Sequence, residues 1–173
     1  MPGKLVQVAT ETVSSAVASV TLTGINTDDV YMVTLNNVQG DTDIKNLQVQ
    51  VTASGTAQTT ANYDFAKKTL RANTTFSNNF NTNQTLVMVN SQLSLGTATG
   101  ESMHGIQYLY GFNNASTYSF ASEELVFMDY SATRTMGGQG GWLYTVAEAH
   151  NGVHYTFSGG NIASGTFTLY KVL

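Results

Sequence analysis

Apolar and polar side chains alternate at period two from Lys4 to the end of the chain, and this alternation constrains the fold more than any other feature. Leu47-Gln48-Val49-Gln50-Val51-Thr52 shows it most clearly, with aliphatic groups pointing one way and polar groups the other. Such a segment is a strand with one dry face and one wet face, and a chain built of them is a two-sided antiparallel β protein. The wet positions hold Thr, Ser, Asn and Gln rather than ions. Only 10% of residues are charged, against about a quarter in an ordinary soluble domain.

The alternation predicts strands over 5–8, 18–23, 30–38, 47–52, 86–89, 106–112, 125–130, 142–147, 153–157 and 164–172. Segment 62–72 reads two ways. Tyr63, Ala66 and Leu70 share a helical face, while Tyr63 and Phe65 also fit a strand, and the β surroundings favour the strand. Segment 73–83 reads as a polar loop anchored by Phe76 and Phe80, and Gly137-Gly138-Gln139-Gly140-Gly141 as a mobile hairpin tip. Asn151-Gly152 between two alternating runs is a strong hairpin signal, because a type I′ turn needs positive φ at both central residues. The single proline, Pro2, interrupts no strand. About ten strands at such turn spacing predict an all-β antiparallel sandwich, jelly-roll-like in character. With 173 residues the expectation is one domain: residues 1–9 as an N-terminal arm and first strand, and 10–173 as the sandwich.

Composition excludes several functional classes. The absence of cysteine rules out disulfides, thiolate metal sites and a cysteine nucleophile. The net charge is −4 and the seven Lys and Arg are dispersed, so no basic stripe is present for nucleic acid. Lys67-Lys68 with Arg71 reads as a solvated face. No run approaches the roughly 18 apolar residues of a membrane span, so no membrane partner is expected. The opening residues lack an apolar h-region and predict no secretory signal. Asn-x-Ser/Thr matches at Asn73, Asn83 and Asn114 are attributed to the richness in Asn and Thr.

The same reading predicts no catalytic residues, no metal and no cofactor. His150 and His154 flank the Asn-Gly turn out of register, which disfavours a shared metal ion. Asp28-Asp29, Asp41-x-Asp43 and Glu123-Glu124 lack the ligand spacing of a calcium loop. No Gly-x-Ser-x-Gly elbow occurs, and the glycine run lacks the Lys-Ser/Thr ending of a phosphate loop. Tyr108, Tyr110, Phe112, Trp142 and Tyr144 would stack on sugars if exposed, although period two favours the core for them.

Two stretches carry a resemblance. The opening Lys4-Leu5-Val6-Gln7-Val8-Ala9-Thr10 leads into Val20-Thr21-Leu22-Thr23-Gly24-Ile25, and the ending is Gly160-Asn161-Ile162-Ala163-Ser164-Gly165-Thr166-Phe167-Thr168-Leu169-Tyr170. Together they resemble single-domain β-sandwich virion proteins of tailed bacteriophages, which decorate capsids or form fibre and tail appendages, commonly as trimers. The resemblance implies a non-enzymatic structural protein of the virion, assembled in the host cytoplasm. Its first expectation is a capsid decoration (cement) protein that meets the major capsid protein and its own copies, as a homotrimer. The arm around Leu5, Val6 and Val8 is then a candidate strand for a partner sheet. The alternative is a tail-fibre or receptor-binding head that recognises host glycans through Tyr108, Tyr110, Trp142 and Tyr144.

Overall fold

The computed structural model describes residues 3–72, 75–90, 94–131 and 133–173. They form 13 strands and no helix, in two packed antiparallel sheets. The larger sheet has eight strands in the order β1 (Leu5–Val13), β13 (Ile162–Val172), β3 (Tyr31–Gly40), β9 (Met103–Tyr110), β10 (Ser119–Met128), β11 (Thr135–Tyr144), β6 (Tyr63–Arg71) and β7 (Ser77–Gln84). The smaller has five: β2 (Ser19–Thr23), β12 (Gly152–Phe157) and β4 (Leu47–Ala53) in succession, with the short β5 (Thr56–Ala57) and β8 (Val87–Met88) sharing the outer edge of β4. The chain passes from one sheet to the other at most of its connections, the sandwich habit that the alternation predicts. The count exceeds the ten runs above because segment 62–72 is the strand β6, because β5 is a two-residue strand that the alternation did not mark, and because β7 occupies the segment read as a loop.

The core lies between the sheets and contains the inward half of nearly every strand. Val20 and Leu22 of β2, Val49 and Val51 of β4, and Val33, Leu109 and Leu169 of the large sheet are buried. Fully burying one such side chain contributes roughly 1.5–3 kcal/mol. Tyr31, Tyr63, Tyr144 and Tyr155 are fully buried as well, and each hydroxyl has a partner, as a buried phenol requires. Tyr63 donates to the Gln58 carbonyl at 2.8 Å and accepts from Val51 N at 3.0 Å. Tyr144 meets Thr60 Oγ1 at 2.6 Å and Tyr31 meets Thr27 Oγ1 at 2.8 Å. The Tyr155 and Phe167 rings, 5.3 Å apart, join the two layers directly.

Several expectations need correction. Asn151-Gly152 is not a hairpin turn, because β11 and β12 belong to different sheets. Gly152 lies within β12, where a Cβ would collide with the Leu22 carbonyl. Asn151 ties neighbouring segments together instead: its side-chain oxygen accepts from Thr52 Oγ1 and Gly55 N, and its carbonyl from Gly24 N and Ile25 N. The glycine run is no loop tip; residues 137–141 form the middle of β11, between β10 and β6. Segment 62–72 is the strand β6. In segment 73–83, Asn73 and Thr74 lie outside the described residues and Ser77 onward is β7; Phe76 and Phe80 are 59% and 75% exposed, so they anchor nothing.

The N-terminal arm is also revised. β1 pairs with β13 from Leu5↔Val172 to Val13↔Gly165, with a bulge between Gln7 and Ala9. Leu5 and Val6 are already hydrogen-bonded into their own sheet, and Val8 packs toward the core. A boundary after residue 9 falls inside this strand, and the arm is not free to leave for a partner.

Candidate functional site

The eight-stranded sheet has two chemically different faces, and strand register defines both. On the inner face one row runs Val33, Gln107, Glu123, Gly140, Lys67 and Asn79 across β3, β9, β10, β11, β6 and β7. Lys67 Nζ lies 2.6 Å from Glu123 Oε1, with both side chains sealed from solvent (1% and 0% exposed). Lys67 also donates to the Met88 carbonyl of the small sheet at 2.6 Å. Glu123 Oε2 accepts from Gln107 Nε2 at 2.9 Å, and Tyr155 donates to Gln107 Oε1 at 2.6 Å. The network therefore spans the sandwich from β8 to β12.

Burial pushes the Lys67 pKa below its ordinary value, and the Glu123 charge opposes that push. Burial and the same carboxylate hold the Tyr155 phenol well above its usual range, so it stays a donor. A buried pair of this kind is tolerated only when its remaining donors and acceptors are satisfied. Gly140 makes the reach between Lys67 and Glu123 possible. It sits between them in the row, where a Cβ would collide with the Ala66 carbonyl and lie 2.6 Å from Lys67 Cα.

A second buried constellation lies at the end of the sheet. Ser119 Oγ is 2.8 Å from His150 Nδ1, and Glu148 Oε1 is 3.0 Å from His150 Nε2. The residue types match a nucleophile, base and orienter, but the placement does not. Ser119 and His150 are 0% exposed, whereas the Glu148 side chain is 39% exposed. The hydroxyl faces the interior, packed near Phe112 and Tyr144, whose rings stand edge-on to the imidazole. Burial lowers the His150 pKa against the opposing pull of Glu148, which leaves the ring neutral. This is a core hydrogen-bond set.

The outer face is where the chain meets solvent. One row runs Met32, Tyr108, Ser122, Gly141, Ala66 and Phe80, and the next runs Tyr110, Phe120, Leu143 and Asp64. Gly141 and Ala66 form the floor of a shallow trough along β11 and β6, walled by Phe80 on one side and Phe120 with Leu143 on the other. Phe120 is 41% exposed and Tyr110 40%. Beyond Ser122 the surface turns polar: Gln139 Nε2 donates to Glu124 Oε1 at 3.2 Å, and Lys68 occupies the same row. The exposed aromatic side chains of Phe80 and Phe120 are grouped around this bare floor rather than scattered singly.

The predicted residues divide between these faces. Tyr108 and Tyr110 lie together on the outer face of β9. Trp142 and Tyr144 are each 2% exposed on the inner side, so they cannot stack on a sugar and leave that set. Phe112 lies beyond β9 and is buried against Trp142, 6.2 Å between centroids. Phe80 and Phe120 wall the trough; the sequence pattern marks Phe80 only as a loop anchor and does not single out Phe120. The pairs Lys67-Lys68 and Glu123-Glu124 are not solvated clusters: period two sends Lys67 and Glu123 inward and Lys68 and Glu124 outward. Among the described residues no group of three or more His, Asp or Glu is placed to hold a metal ion, and no helix is long and apolar enough to cross a membrane.

No family model and no curated protein matches the chain. Among solved structures it is similar, at very low level, to infectious bursal disease virus of the Gx strain (TM-score 0.19, 10% identity) and of the Gt strain (TM-score 0.15, 9% identity). The alignments cover 100% and 99% of this chain but only 42% and 41% of those chains, so it spans about two-fifths of their length. Likeness at this level carries no argument about fold or function.

Proposed function

We propose that this chain is a non-enzymatic structural protein of a tailed-bacteriophage virion, a capsid decoration protein that docks through the outer face of its eight-stranded sheet. The observation that carries this reading is the trough on that face, where Phe80 and Phe120 stand exposed beside a floor of Gly141 and Ala66, with Tyr110 exposed next to Phe120 and the Lys67–Glu123 pair sealed inside. The resemblance of both chain ends to virion β-sandwich proteins supplies the setting. A surface with few ions makes contacts that salt screens little. Many copies on a repeating shell turn weak single contacts into avidity.

The test is reconstitution on particles that lack the protein. Wild-type chain rebinds to on the order of hundreds of sites, as avidity on a lattice requires, and the Phe120→Glu variant does not. Equal binding by that variant, or a handful of copies per particle, refutes the reading.

A second reading is a tail-fibre or receptor-binding head for host glycans. The pairing of Tyr110 with Phe120 across adjacent strands, with the Tyr110 hydroxyl 3.3 Å from Ser122 Oγ, favours it. A glycan-array signal on the wild type that Tyr110→Ala abolishes selects it over decoration.

A further inference from the structure

We propose that the inner face of the β6–β7 pair holds one small anion, bound through Thr69, Arg71 and Asn79. Six buried side-chain polar atoms lack a hydrogen-bond partner among the described residues. Two of them, Glu123 Oε1 and Asp129 Oδ2, have ion pairs instead, with Lys67 and Arg134. Of the four that remain, three belong to neighbouring residues: Thr69 Oγ1, Arg71 Nε and Asn79 Nδ2. The fourth, Trp142 Nε1, belongs to β11. An orphaned buried polar atom is costly and calls for an explanation, and three on one patch point to a shared ligand.

Strand register brings these groups together. Thr69 stands opposite Ser77, and Asn79 stands opposite Lys67, one pair further along the same side. Period two puts Lys67, Thr69 and Arg71 on one side of β6, the side on which Lys67 meets Glu123. Arg71 folds back over the patch, since its Nη2 donates to Ser77 Oγ at 3.2 Å. Directly opposed residues have Cβ atoms about 4.5–5.5 Å apart, and diagonal neighbours such as Thr69 and Asn79 about 7–8 Å at most. The side chains of all three residues therefore reach a common point. Thr69 and Asn79 are 1% and 6% exposed, so bulk water does not serve them.

Donor chemistry and charge select the occupant. An Asn amide nitrogen and an Arg Nε only donate, and Ser77 Oγ already accepts from Arg71. A water molecule in their midst would find little to accept its own protons, whereas an anion needs only donors. Arg71 also brings a positive charge that pairs with no carboxylate among the described residues, while Glu123 takes up the charge of Lys67. Charges drawn into an interior are kept when they are paired. The ligand class is a compact monovalent anion, with chloride as the probe. The site lies on the opposite side of the sheet from the trough and does not depend on what the trough holds.

The experiment measures the urea midpoint of the full chain in sodium chloride and in sodium gluconate at equal ionic strength, the gluconate anion being too large for the site. A ligand that binds only the folded state raises stability by mass action. The wild type therefore has the higher midpoint in chloride, and the gap widens as both salts are raised together. Thr69→Val keeps the side-chain shape without the hydroxyl and loses most of the gap, and Thr69→Ser regains it. Asn79→Leu loses most of it as well, whereas Thr12→Val, at an exposed position of β1, keeps it whole. Crystals of the wild type soaked in bromide give a second measurement that needs no variant: an anomalous peak within hydrogen-bond distance of Asn79 Nδ2. Equal midpoints in the two salts overturn the proposal. So does a gap that Thr69→Val leaves intact, or a site that holds water and no bromide.

Discussion

The inner and outer faces of the eight-stranded sheet are made by the same strands and handle polarity in opposite ways. The inner face takes Lys67 and Glu123 into the middle of the sandwich and closes every approach to them. The outer face leaves Phe80, Phe120 and Tyr110 in water. β11 serves both: Gly140 makes room for the buried pair, and Gly141 bares the trough floor. Whether a side chain is buried here follows from the partners that register provides more than from its own polarity. Around that pair the inner face is finished within one chain, and the outer face leaves its aromatic side chains exposed.

The sharpest way to break this contrast is to remove one member of the buried pair. Lys67→Met leaves the Glu123 carboxylate buried without its cation and lowers the unfolding free energy by about 3–5 kcal/mol, read by urea denaturation. Replacing Glu123 by Leu in the same chain restores a large part of the loss, because an apolar pair of similar volume needs no counter-charge. A single variant that costs under about 1 kcal/mol would mean the inner face is not sealed.

Glycine substitutions compare inner and outer positions on β11. Gly140→Ala places a methyl against the Ala66 carbonyl and the Lys67 backbone and costs about 2–3 kcal/mol. Gly137→Ala on the outer side meets only the Leu70 side chain at 3.4 Å and the Leu125 carbonyl oxygen at 3.5 Å, ordinary contacts. It leaves stability unchanged or raises it by about 0.5 kcal/mol through the unfolded state. Equal costs at the two positions would contradict the division of labour within the strand.

A pH titration tests the interior in another way. Burial lowers the folded-state pKa of His150, and of His154, from 6.5. The unfolded chain therefore binds more protons, and stability rises with pH between the lowered folded value and 6.5. The contribution is complete above 6.5 and is lost as pH falls through the folded pKa. Thermal unfolding followed from pH 7 downward reads this decline, and a flat profile would place these imidazoles in solvent.

The smallest stability effect is expected outside. Tyr110→Ser and Phe120→Ser, at exposed positions, change the unfolding free energy by at most about 0.5 kcal/mol while abolishing attachment in the reconstitution assay. A large loss of stability would move these rings from binding to packing.

The sequence disclosed the strands better than their partners. Alternation located β4, β12 and β13 because one side of each strand is consistently apolar, and it caught only the second half of β10, where Ser119 and Glu123 interrupt the apolar side. It misread 137–141 because glycine marks tight approach within a sheet as well as turns, and only the neighbouring Ala66 carbonyl and Lys67 backbone distinguish the two. It misread Asn151-Gly152 because a hairpin signal says nothing about which sheet receives the next strand. The buried network did leave a trace. Glu123 is in phase with Ala121, Leu125 and Phe127, and Lys67 with Tyr63, Phe65 and Thr69, so each charge occupies a core position. Phase alone could not pair them, since β6 and β10 are brought together by β11 across more than fifty residues of chain. The outer face was half legible: Tyr108 and Tyr110 share a face with each other, but which side of β9 faces outward depends on Gln107 joining the interior network.

The pairing of β1 with β13 has a consequence for how the molecule comes into being. Leu5 is hydrogen-bonded beside Val172, and Lys4 and Leu173 exchange backbone hydrogen bonds at 2.8 Å. The first strand thus waits unpaired on the nascent chain until the last has cleared the ribosome, and β3 waits with it on one side. Contacts between such distant residues close slowly. Folding kinetics should be limited by the closing of β1 onto β13.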